Sequence, residues 1–245
     1  MGSKSRIVKY IVPIIQKYID DNNCQCYWEC CVGGANVIDK IQCQRKVGSD
    51  KNKYLIALLQ HVQQGLPLYE SVSKELYDKA RSSYNQRTLE FEDWELGNIG
   101  FLASYNGRWF DGGYAKPGYE KTKTGERYRD YYREAKKNLL DQVQDVRNVE
   151  FLCCDYKAFP ENPKGWVIYV DPPYQGTKQY ANATRFDYEE FWEIMRKWSI
   201  ENIVLISELN APSDFECIWE QEVSRSIKAG DKGKAVEKLF KLKNK

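Results

Sequence analysis

The 245-residue sequence lacks the apolar run of roughly 20 residues that a membrane-spanning helix requires. Its first residues, MGSKSRIVKYIVPII, contain neither a long apolar core nor a small-residue cleavage site, unlike a secretory signal. We therefore expect no membrane association and a cytoplasmic location. The chain also has only one histidine, His61, which falls on a predicted helix face and is expected at the surface rather than as a catalytic base.

Zinc and disulfide sites are disfavoured too, although the chain has eight cysteines. Five of them lie between positions 24 and 43, but no CxxC pair occurs, and Cys30 and Cys31 fall within a predicted buried strand. The adjacent pairs Cys30-Cys31 and Cys153-Cys154 are poorly placed for ordinary disulfides. We predict buried, reduced thiols and no metal site.

The net charge of +2 does not by itself indicate a nucleic-acid partner, but the charge is unevenly distributed. Residues 105–137 hold nine Lys/Arg against five Asp/Glu, and residues 231–245 hold six lysines against two acids. Aromatic residues are interleaved with cations in the first segment, which suits base stacking and phosphate contact. A solvated basic face over an aromatic core is an equally good interpretation. The tail from Lys232 to Lys245 either follows DNA phosphates or is simply solvated.

Strand and helix patterns alternate at both ends of the chain. The predicted strands span 26–32, 45–50, 149–155, 166–174 and 202–207, with a terminal hairpin formed by 217–226 and 234–243. The predicted helices span 3–18, 35–41, 51–63, 69–82, 126–144 and 186–199. This order predicts an α/β domain with a mainly parallel sheet, formed by 1–65 and 148–245 and interrupted by a mainly helical insert over 66–147.

Candidate binding groups follow four of the predicted strands, where ligands bind in parallel sheets. Glu29 is followed by Gly33 and Gly34, and glycines let the backbone approach a ligand closely. Asp50 ends the second strand, where an acid commonly binds ribose hydroxyls. Asp155 and Asp171 end the next two strands. The four strand ends, in this order, predict a ligand site along one edge of the sheet.

The segment Asp171-Pro172-Pro173-Tyr174 is the most specific of these features. Two prolines cannot continue a strand ladder, so they impose a rigid turn. An aspartate carboxylate beside a proline carbonyl offers two acceptors to one amine, and Tyr174 offers a ring for stacking. This combination predicts a slot for a base with an NH2 group. The alternative is a strand-terminating turn with a core tyrosine.

These motifs resemble the D12 class of adenine-specific (N6) DNA methyltransferases, the family that includes the GATC-methylating enzymes of bacteria and phages. The resemblance covers essentially the whole chain. The matching segments are Gly2-Ser3-Lys4, Glu29 to Ala35 (in part, for Glu-Pro-Phe-x-Gly-x-Gly), Asp50-Lys51-Asn52, Asp155-Tyr156 and Asp171 to Tyr174. The chain departs from the family at Cys30, Cys31 and Ala35, which replace proline, phenylalanine and the third glycine.

The resemblance implies a Rossmann-like sheet that binds S-adenosylmethionine. In the family's pattern, Lys4 lies near the methionine carboxylate, Glu29, Gly33 and Gly34 form the cofactor loop, and Asp50 binds the ribose. Asp155 lies near the cofactor adenine, and Asp171 also borders the cofactor.

For the reaction itself, the resemblance implies that the target adenine is flipped out of double-stranded DNA, because its N6 is unreachable within the stack. Asp171 and the Pro172 carbonyl then accept the N6 hydrogens, Pro173 stiffens the turn and Tyr174 stacks on the base. Within the insert, the predicted DNA contacts are Asn106, Arg108, Trp109 and Lys116, since Arg and Asn read guanine and adenine edges.

Other functions remain open at this point. Methylation of cytosine N4 is one, although cytosine enzymes more often resemble a Ser-Pro-Pro-Tyr pattern, so Asp171 favours adenine. Methylation of adenine in RNA is another. A third is a DNA-binding protein of the same fold whose catalysis is weakened by the changed cofactor loop. The resemblance also leaves open a cognate restriction nuclease as a partner in a bacterial or phage-infected cell.

Overall fold

The computed structural model describes residues 4, 7–122, 125–175, 186–228 and 231–243, with side chains except at 122, 224–228 and 231–235. Gly2, Ser3 and Lys245 lie outside the described residues, as does the side chain of Lys232. The chain divides into two compact units. We call residues 3–49 with 154–245 the sheet unit, and residues 1–2 with 50–153 the helical unit. The domain boundaries expected near 66 and 147 stay a prediction.

Helices and strands are numbered along the described chain. The helices are α1 (Val8–Asp21), α2 (Lys53–Gln63), α3 (Lys74–Gln86), α4 (Asp93–Gly97), α5 (Tyr131–Val146) and α6 (Tyr188–Trp198). The strands are β1 (Cys26–Cys30), β2 (Arg45–Asp50), β3 (Gly118–Thr122), β4 (Gly125–Arg129), β5 (Val149–Cys153), β6 (Val167–Val170), β7 (Ile203–Glu208), β8 (Phe215–Lys228) and β9 (Asp231–Leu242). Among the described residues, none of these helices is long and apolar enough to cross a bilayer.

The sheet unit contains strands in the order β2-β1-β6-β7-β9-β8. The first four are mutually parallel, and β9 and β8 add an antiparallel pair at the edge. The predicted α/β class with a mainly parallel sheet is confirmed, and so is the terminal hairpin. Parallel strands present their carboxyl ends at one edge of the sheet, which is where such folds bind ligands.

Apolar residues on both faces make β6 the centre of this core. Its four residues, Val-Ile-Tyr-Val, are all fully buried, as expected of a central parallel strand with both faces covered. Helix α1 buries Val8, Ile11, Ile15 and Ile19 at helical spacing, with Pro13 inside the helix. Helix α6 begins at Asp187, whose side chain accepts hydrogen bonds from the backbone of Glu189 and Glu190.

The helical unit packs α2, α3, α4 and α5 together with a two-stranded β3–β4 hairpin. Asn52 starts α2 by accepting hydrogen bonds from the backbone N–H groups of Tyr54 and Leu55, and this helix buries five apolar residues. His61 near its end stacks on Trp94 with ring centroids 3.7 Å apart, and its Nε2 lies 2.9 Å from the Pro67 carbonyl oxygen. These contacts give His61 a packing role in this unit.

Several predicted elements were wrong in kind or extent. The helix expected over 35–41 is only a single 3-10 turn, Ile38–Lys40, because Ala35 has a left-handed backbone conformation that ends any right-handed run. The helix expected from Glu126 begins at Tyr131, since residues 125–129 pair with β3 and Asp130 caps the helix. The cysteines are all free, but only Cys30 is buried, whereas Cys153 and Cys217 are exposed and the other five are partly exposed.

Candidate active site

The Asp-Pro-Pro-Tyr segment leaves the sheet directly after β6. Asp171 N–H donates to the Cys30 carbonyl oxygen at 3.4 Å, so the turn starts beside the end of β1. Pro172 and Tyr174 are buried, whereas Pro173 is exposed and its carbonyl accepts a hydrogen bond from the Tyr188 hydroxyl at 2.8 Å. The turn therefore places the Asp171 carboxylate and the Tyr174 ring on the inner side of the loop.

Lys4 brings these two side chains together. Its ammonium lies 3.0 Å from Asp171 Oδ1 and 4.4 Å from the centroid of the Tyr174 ring, and it also donates to the Tyr174 hydroxyl. The Lys4 side chain is 13% exposed and that of Asp171 is 20% exposed, so water screens this ion pair only in part. Lys4, Asp171 and Tyr174, which the sequence predicts at the site, thus form one cluster, although Lys4 and Tyr174 are 170 positions apart in the chain.

Glu237 on β9 is a fourth member of the cluster that sequence reasoning missed. Tyr174 Oη donates to Glu237 Oε2 at 2.6 Å, and Lys4 Nζ lies 3.3 Å from the same oxygen. The signal in the sequence is weak, because Glu237 sits within a lysine-rich segment that is typical of a solvated tail. Its position two residues before the buried Leu239 is the one pattern that places it on an inward face.

Two more buried carboxyls border this cluster. Glu29 in β1 is 3% exposed and accepts a hydrogen bond from the Tyr27 hydroxyl at 3.2 Å. Glu208 at the end of β7 is 1% exposed and accepts from the backbone N–H groups of Gln175 and Leu209 at 3.1 and 2.6 Å. Glu208 thereby ties the residue after Tyr174 to the sheet, a contact that sequence reasoning also missed.

Burial controls the proton affinities of these acids. Burial raises the pKa of Asp171. The Lys4 ammonium opposes this effect by lowering the pKa, and the Glu237 carboxylate adds to it by raising the pKa. Burial also raises the pKa of Glu29 well above its ordinary value, and the negative charge of Asp171 adds to the effect. The pKa of Glu208 is raised by burial too, against the lowering by its backbone donors. Desolvation by burial is the largest cause for all three acids, and neighbouring negative charge adds to it.

The expected cofactor loop follows β1 with an unusual backbone. Cys31, Gly33 and Ala35 have φ values of 65°, 51° and 55°, in the left-handed region. Glycine adopts this region without strain, whereas each of the other two residues carries a cost of roughly 1–2 kcal/mol. Ala35 thus has a backbone conformation that favours glycine, the residue that it replaces in the family pattern. A Cβ on Gly33 would meet nothing closer than the Cys31 carbonyl oxygen at 3.9 Å, so the loop has open space there.

Asp50 and Asp155 make local contacts that fix their loops. Asp50 ends β2, and its Oδ1 accepts from the backbone N–H of Asn52 at 2.9 Å. Asp155 Oδ1 accepts from the backbone N–H of Lys157 at 3.0 Å and caps a short turn. Their assignment to the ribose and the cofactor adenine stays a prediction. No group of three or more side chains that could hold a metal ion occurs within the described residues.

The predicted DNA contacts lie together on one loop of the helical unit. Asn106, Arg108 and Lys116 are exposed, whereas Trp109 is half-buried against Phe101 and Tyr54, with ring centroids 4.5 and 5.1 Å apart. The loop is held in place because Gly112 passes so close to Tyr105 that a Cβ would lie 2.6 Å from its carbonyl oxygen. A rigid loop therefore presents the polar side chains, while Trp109 serves mainly as its packing anchor.

The neighbouring hairpin presents aromatic side chains that sequence reasoning did not select. Tyr119 on β3 is 75% exposed and Tyr128 on β4 is 55% exposed, and their rings form an edge-to-face pair with centroids 5.3 Å apart. Arg127 and Lys121 on the same hairpin are exposed cations. Exposed aromatics beside cations suit contact with nucleic acid. The alternation of a β-hairpin could have indicated this, had residues 126–129 not been assigned to the following helix.

Comparisons with known proteins identify relatives of the chain. The family model for D12 class N6 adenine-specific DNA methyltransferases matches residues 1–201. The chain is 24% identical over 221 residues to the type II methyltransferase M.MjaIII of Methanocaldococcus jannaschii, covering 77% of this chain and 73% of that protein. Among solved structures, it is similar to the rRNA methyltransferase AviRa of Streptomyces viridochromogenes, with a TM-score of 0.43 and 8% identity over 98% of this chain and 86% of that one.

Proposed function

The chain belongs to the D12 class N6 adenine-specific DNA methyltransferase family, and from that premise we propose that it methylates N6 of a flipped adenine within a specific double-stranded DNA sequence. S-adenosylmethionine is the proposed methyl donor. The residues proposed to act on the target base are Asp171, Pro172 and Tyr174.

One observation carries this proposal. The Lys4 ammonium, a compact hydrogen-bond donor, lies 3.0 Å from Asp171 Oδ1 and 4.4 Å from the centroid of the Tyr174 ring. In the proposed complex, an adenine stacks on Tyr174 with its N6 amine, another compact donor, directed to the Asp171 carboxylate. The cluster supports that assignment because the Asp171 carboxylate and the Tyr174 ring already contact one donor, the Lys4 ammonium, at the same time.

Each of the three residues has a distinct part in the proposed transfer. Asp171 accepts one N6 hydrogen in its ionised form, and the Pro172 carbonyl accepts the other. These two hydrogen bonds orient the nitrogen lone pair and stabilise the positive charge that develops on N6. Tyr174 holds the flipped ring by stacking, a contact worth about 1–3 kcal/mol per base. Pro173, fixed through Tyr188, keeps the turn rigid.

The residues present fit S-adenosylmethionine. The loop after β1 has open space at Gly33, where glycine lets a ligand approach the backbone closely. The excess of carboxyls over ammonium groups around Lys4 complements a cationic sulfonium. Lys4, Glu29, Gly33 and Gly34 would hold the cofactor, with Asp50 and Asp155 at its ribose and adenine. When bound, the cofactor supplies an electrophilic methyl group.

The helical unit supplies the proposed DNA contacts. Asn106, Arg108 and Lys116 are exposed on a rigid loop, and the β3–β4 hairpin adds Tyr119 and Tyr128. Arg and Asn are suited to base edges in the major groove, and lysine to phosphates. M.MjaIII is a type II methyltransferase, which supports a restriction–modification role and a cognate nuclease for this chain.

The test is to incubate the purified chain with methyl-labelled S-adenosylmethionine and unmethylated double-stranded DNA, then identify the modified nucleoside by mass spectrometry. We expect N6-methyladenine, at one sequence context when the product DNA is sequenced. RNA of the same sequence and the Asp171→Ala variant serve as negative controls.

The outcome also separates the alternatives. N4-methylcytosine as the product would make the base assignment wrong, and preferential labelling of RNA would make the substrate assignment wrong. DNA binding without transfer, in a preparation that binds the cofactor, would indicate a DNA-binding protein in place of an enzyme.

A further inference from the structure

We propose that Glu237, on the terminal β8–β9 hairpin, is a positioning residue for the methyl transfer: its carboxylate fixes the Tyr174 ring and holds the Lys4 ammonium beside Asp171. This inference rests on the proposed function. Glu237 lies beyond residues 1–201, the part of the chain that the family model matches, so the family resemblance assigns it no role.

The hydrogen bonds of Tyr174 are the first step. A phenol has one donor hydrogen and can accept as well. In this cluster Tyr174 Oη donates to Glu237 Oε2 at 2.6 Å and accepts from Lys4. Burial and the neighbouring carboxylates raise the pKa of Tyr174 well above its ordinary value, so the phenol remains a neutral donor. The ring is therefore held at both ends, by the backbone of the turn at one end and by the hydrogen bonds of its hydroxyl group at the other.

Strand register explains why Glu237 reaches this point. On β9, Lys238, Leu239 and Phe240 pair antiparallel with Glu208, Ser207 and Ile206 of β7. Glu237 comes one residue beyond this pairing, at the end of the sheet where β6 and β7 finish and Asp171 begins its turn. The register matters for this contact, because a slip of one residue would turn Glu237 to the opposite face.

The second step concerns Lys4. Its ammonium lies 3.0 Å from Asp171 and 3.3 Å from Glu237, so two carboxylates share one cation. An incoming amine must compete with Lys4 for the Asp171 carboxylate. Glu237 offers Lys4 a second partner at almost the same distance, so that Lys4 stays paired when Asp171 turns to the substrate. Without Glu237, engagement of the amine leaves the largely buried ammonium with neither of its two carboxylate partners in the protein, which is costly.

The experiment uses the full chain and four variants: Glu237→Ala, Glu237→Gln, Tyr174→Phe and the double variant Tyr174→Phe/Glu237→Ala. Glu220→Ala is the matched control, because Glu220 is an exposed acid on the same hairpin, opposite Lys238. For each protein we would measure kcat and KM with unmethylated DNA, the Kd of S-adenosylhomocysteine by calorimetry, and the thermal unfolding midpoint.

We expect Glu237→Ala to lower kcat by about tenfold or more, the scale of a lost hydrogen bond to a charged group. Cofactor affinity should change by less than about threefold, and Glu220→Ala should match the wild type. Glu237→Gln should recover part of kcat, since its amide oxygen still accepts from Tyr174. The double variant should be no slower than Glu237→Ala alone, because the two residues act through one contact.

Each opposite result overturns the inference. A Glu237→Ala protein with wild-type kcat would show that the carboxylate positions nothing, and so would fully multiplicative losses in the double variant. If Glu237→Ala does not fold, Glu237→Gln decides, with unchanged kcat and KM contradicting the role. A wild type that transfers no methyl group would instead refute the proposed function, and this inference with it.

Discussion

The charge of Lys4 should set the pH range in which the protein is active. Asp171 must be ionised to accept an N6 hydrogen, so activity is present above its pKa and lost as the pH falls through it. Burial raises this pKa, Glu237 raises it further, and Lys4 opposes both. Lys4→Met removes the opposing charge. The acid limb of the kcat profile should therefore move to higher pH.

The geometry gives the size of the shift. Two unit charges 3.0 Å apart interact by about 5.5 kcal/mol at an effective dielectric constant near 20. That energy corresponds to at most about 4 pKa units, since one unit is about 1.36 kcal/mol. Partial exposure and the sharing of Lys4 with Glu237 reduce it, so we expect a shift of about 1–3 units, as is usual for opposite charges in contact.

The assay is kcat at saturating DNA and cofactor from about pH 5 to pH 9. The midpoint of the acid limb is the readout, because a loss of affinity lowers rates without moving that midpoint. Lys4→Arg keeps the charge and should keep the midpoint near that of the wild type. Lys9→Met, at an exposed lysine on α1, is the control for a general change in charge. The charged and titratable groups that also influence Asp171 or border it are Glu29, Glu208, Tyr169, Tyr174 and Glu237.

An unchanged midpoint in Lys4→Met would refute the reasoning, because it would mean that Asp171 is not the group that titrates or that Lys4 does not control it. A midpoint that moves to lower pH would contradict the sign of the effect. The same shift in Lys9→Met would trace the change to overall charge rather than to the ion pair.

Four further predictions use the same cluster and the helical unit. Asp171→Ala should abolish turnover and Asp171→Asn should slow it severely, while calorimetry finds S-adenosylhomocysteine affinity within about threefold; an active Asp171→Ala would make the turn structural. Arg108→Ala should reduce discrimination between the target and single-base variants by about 1–3 kcal/mol in competition binding, whereas an equal loss for all sequences would mean phosphate contact. The pKa of Glu29 is higher in the folded state than in the unfolded state. Protonated Glu29 therefore contributes fully to stability at pH values below the unfolded-state pKa, and this contribution is lost as the pH rises through the folded-state pKa. Urea unfolding of Glu29→Gln should accordingly show a weaker decline of stability from acidic to neutral pH, and an unchanged slope would contradict burial of an ionisable acid. Calorimetry in two buffers of different ionisation enthalpy should detect proton release on binding of cationic S-adenosylmethionine and less with the uncharged thioether S-adenosylhomocysteine; equal release for both would exclude coupling to the sulfonium.

Local sequence patterns were enough for the strands that build the sheet. Runs such as Val-Ile-Tyr-Val and Ile-Val-Leu-Ile are short, apolar and β-branched, and they are strands within a few residues of the predicted limits. The helix predicted over 35–41 was wrong because its pattern does not report the left-handed conformations of Cys31, Gly33 and Ala35. The β3–β4 hairpin was missed because the charged residues of β4 also fit the start of the following helix, which left β3 without a pairing strand.

The candidate site was predicted unequally. Asp171, Tyr174 and Lys4 could be named because each lies in a motif with its own chemistry. Glu237 and Glu208 could not, because their contacts depend on strand register between segments far apart in the chain. From the sequence, Tyr174 was also predicted to contribute only the face of its ring. The structure adds a hydrogen bond from the Tyr174 hydroxyl to the Glu237 carboxylate, so the orientation of the ring depends on β9, the last strand along the chain.

The cluster's charge balance unites these observations. Asp171 and Glu237 pair with the ammonium of Lys4, and the charge of Asp171 also acts on Glu29 and Glu208. Burial raises the pKa values of Asp171, Glu29 and Glu208, and the neighbouring negative charge adds to that effect. A core optimised for stability alone would hold fewer acids, since buried like charges oppose folding. The same excess favours a bound cation and stabilises positive charge as it develops on an attacking nitrogen. On the proposed assignment of the site, this electrostatic strain is the property that favours transfer of a methyl group from a sulfonium to an amine.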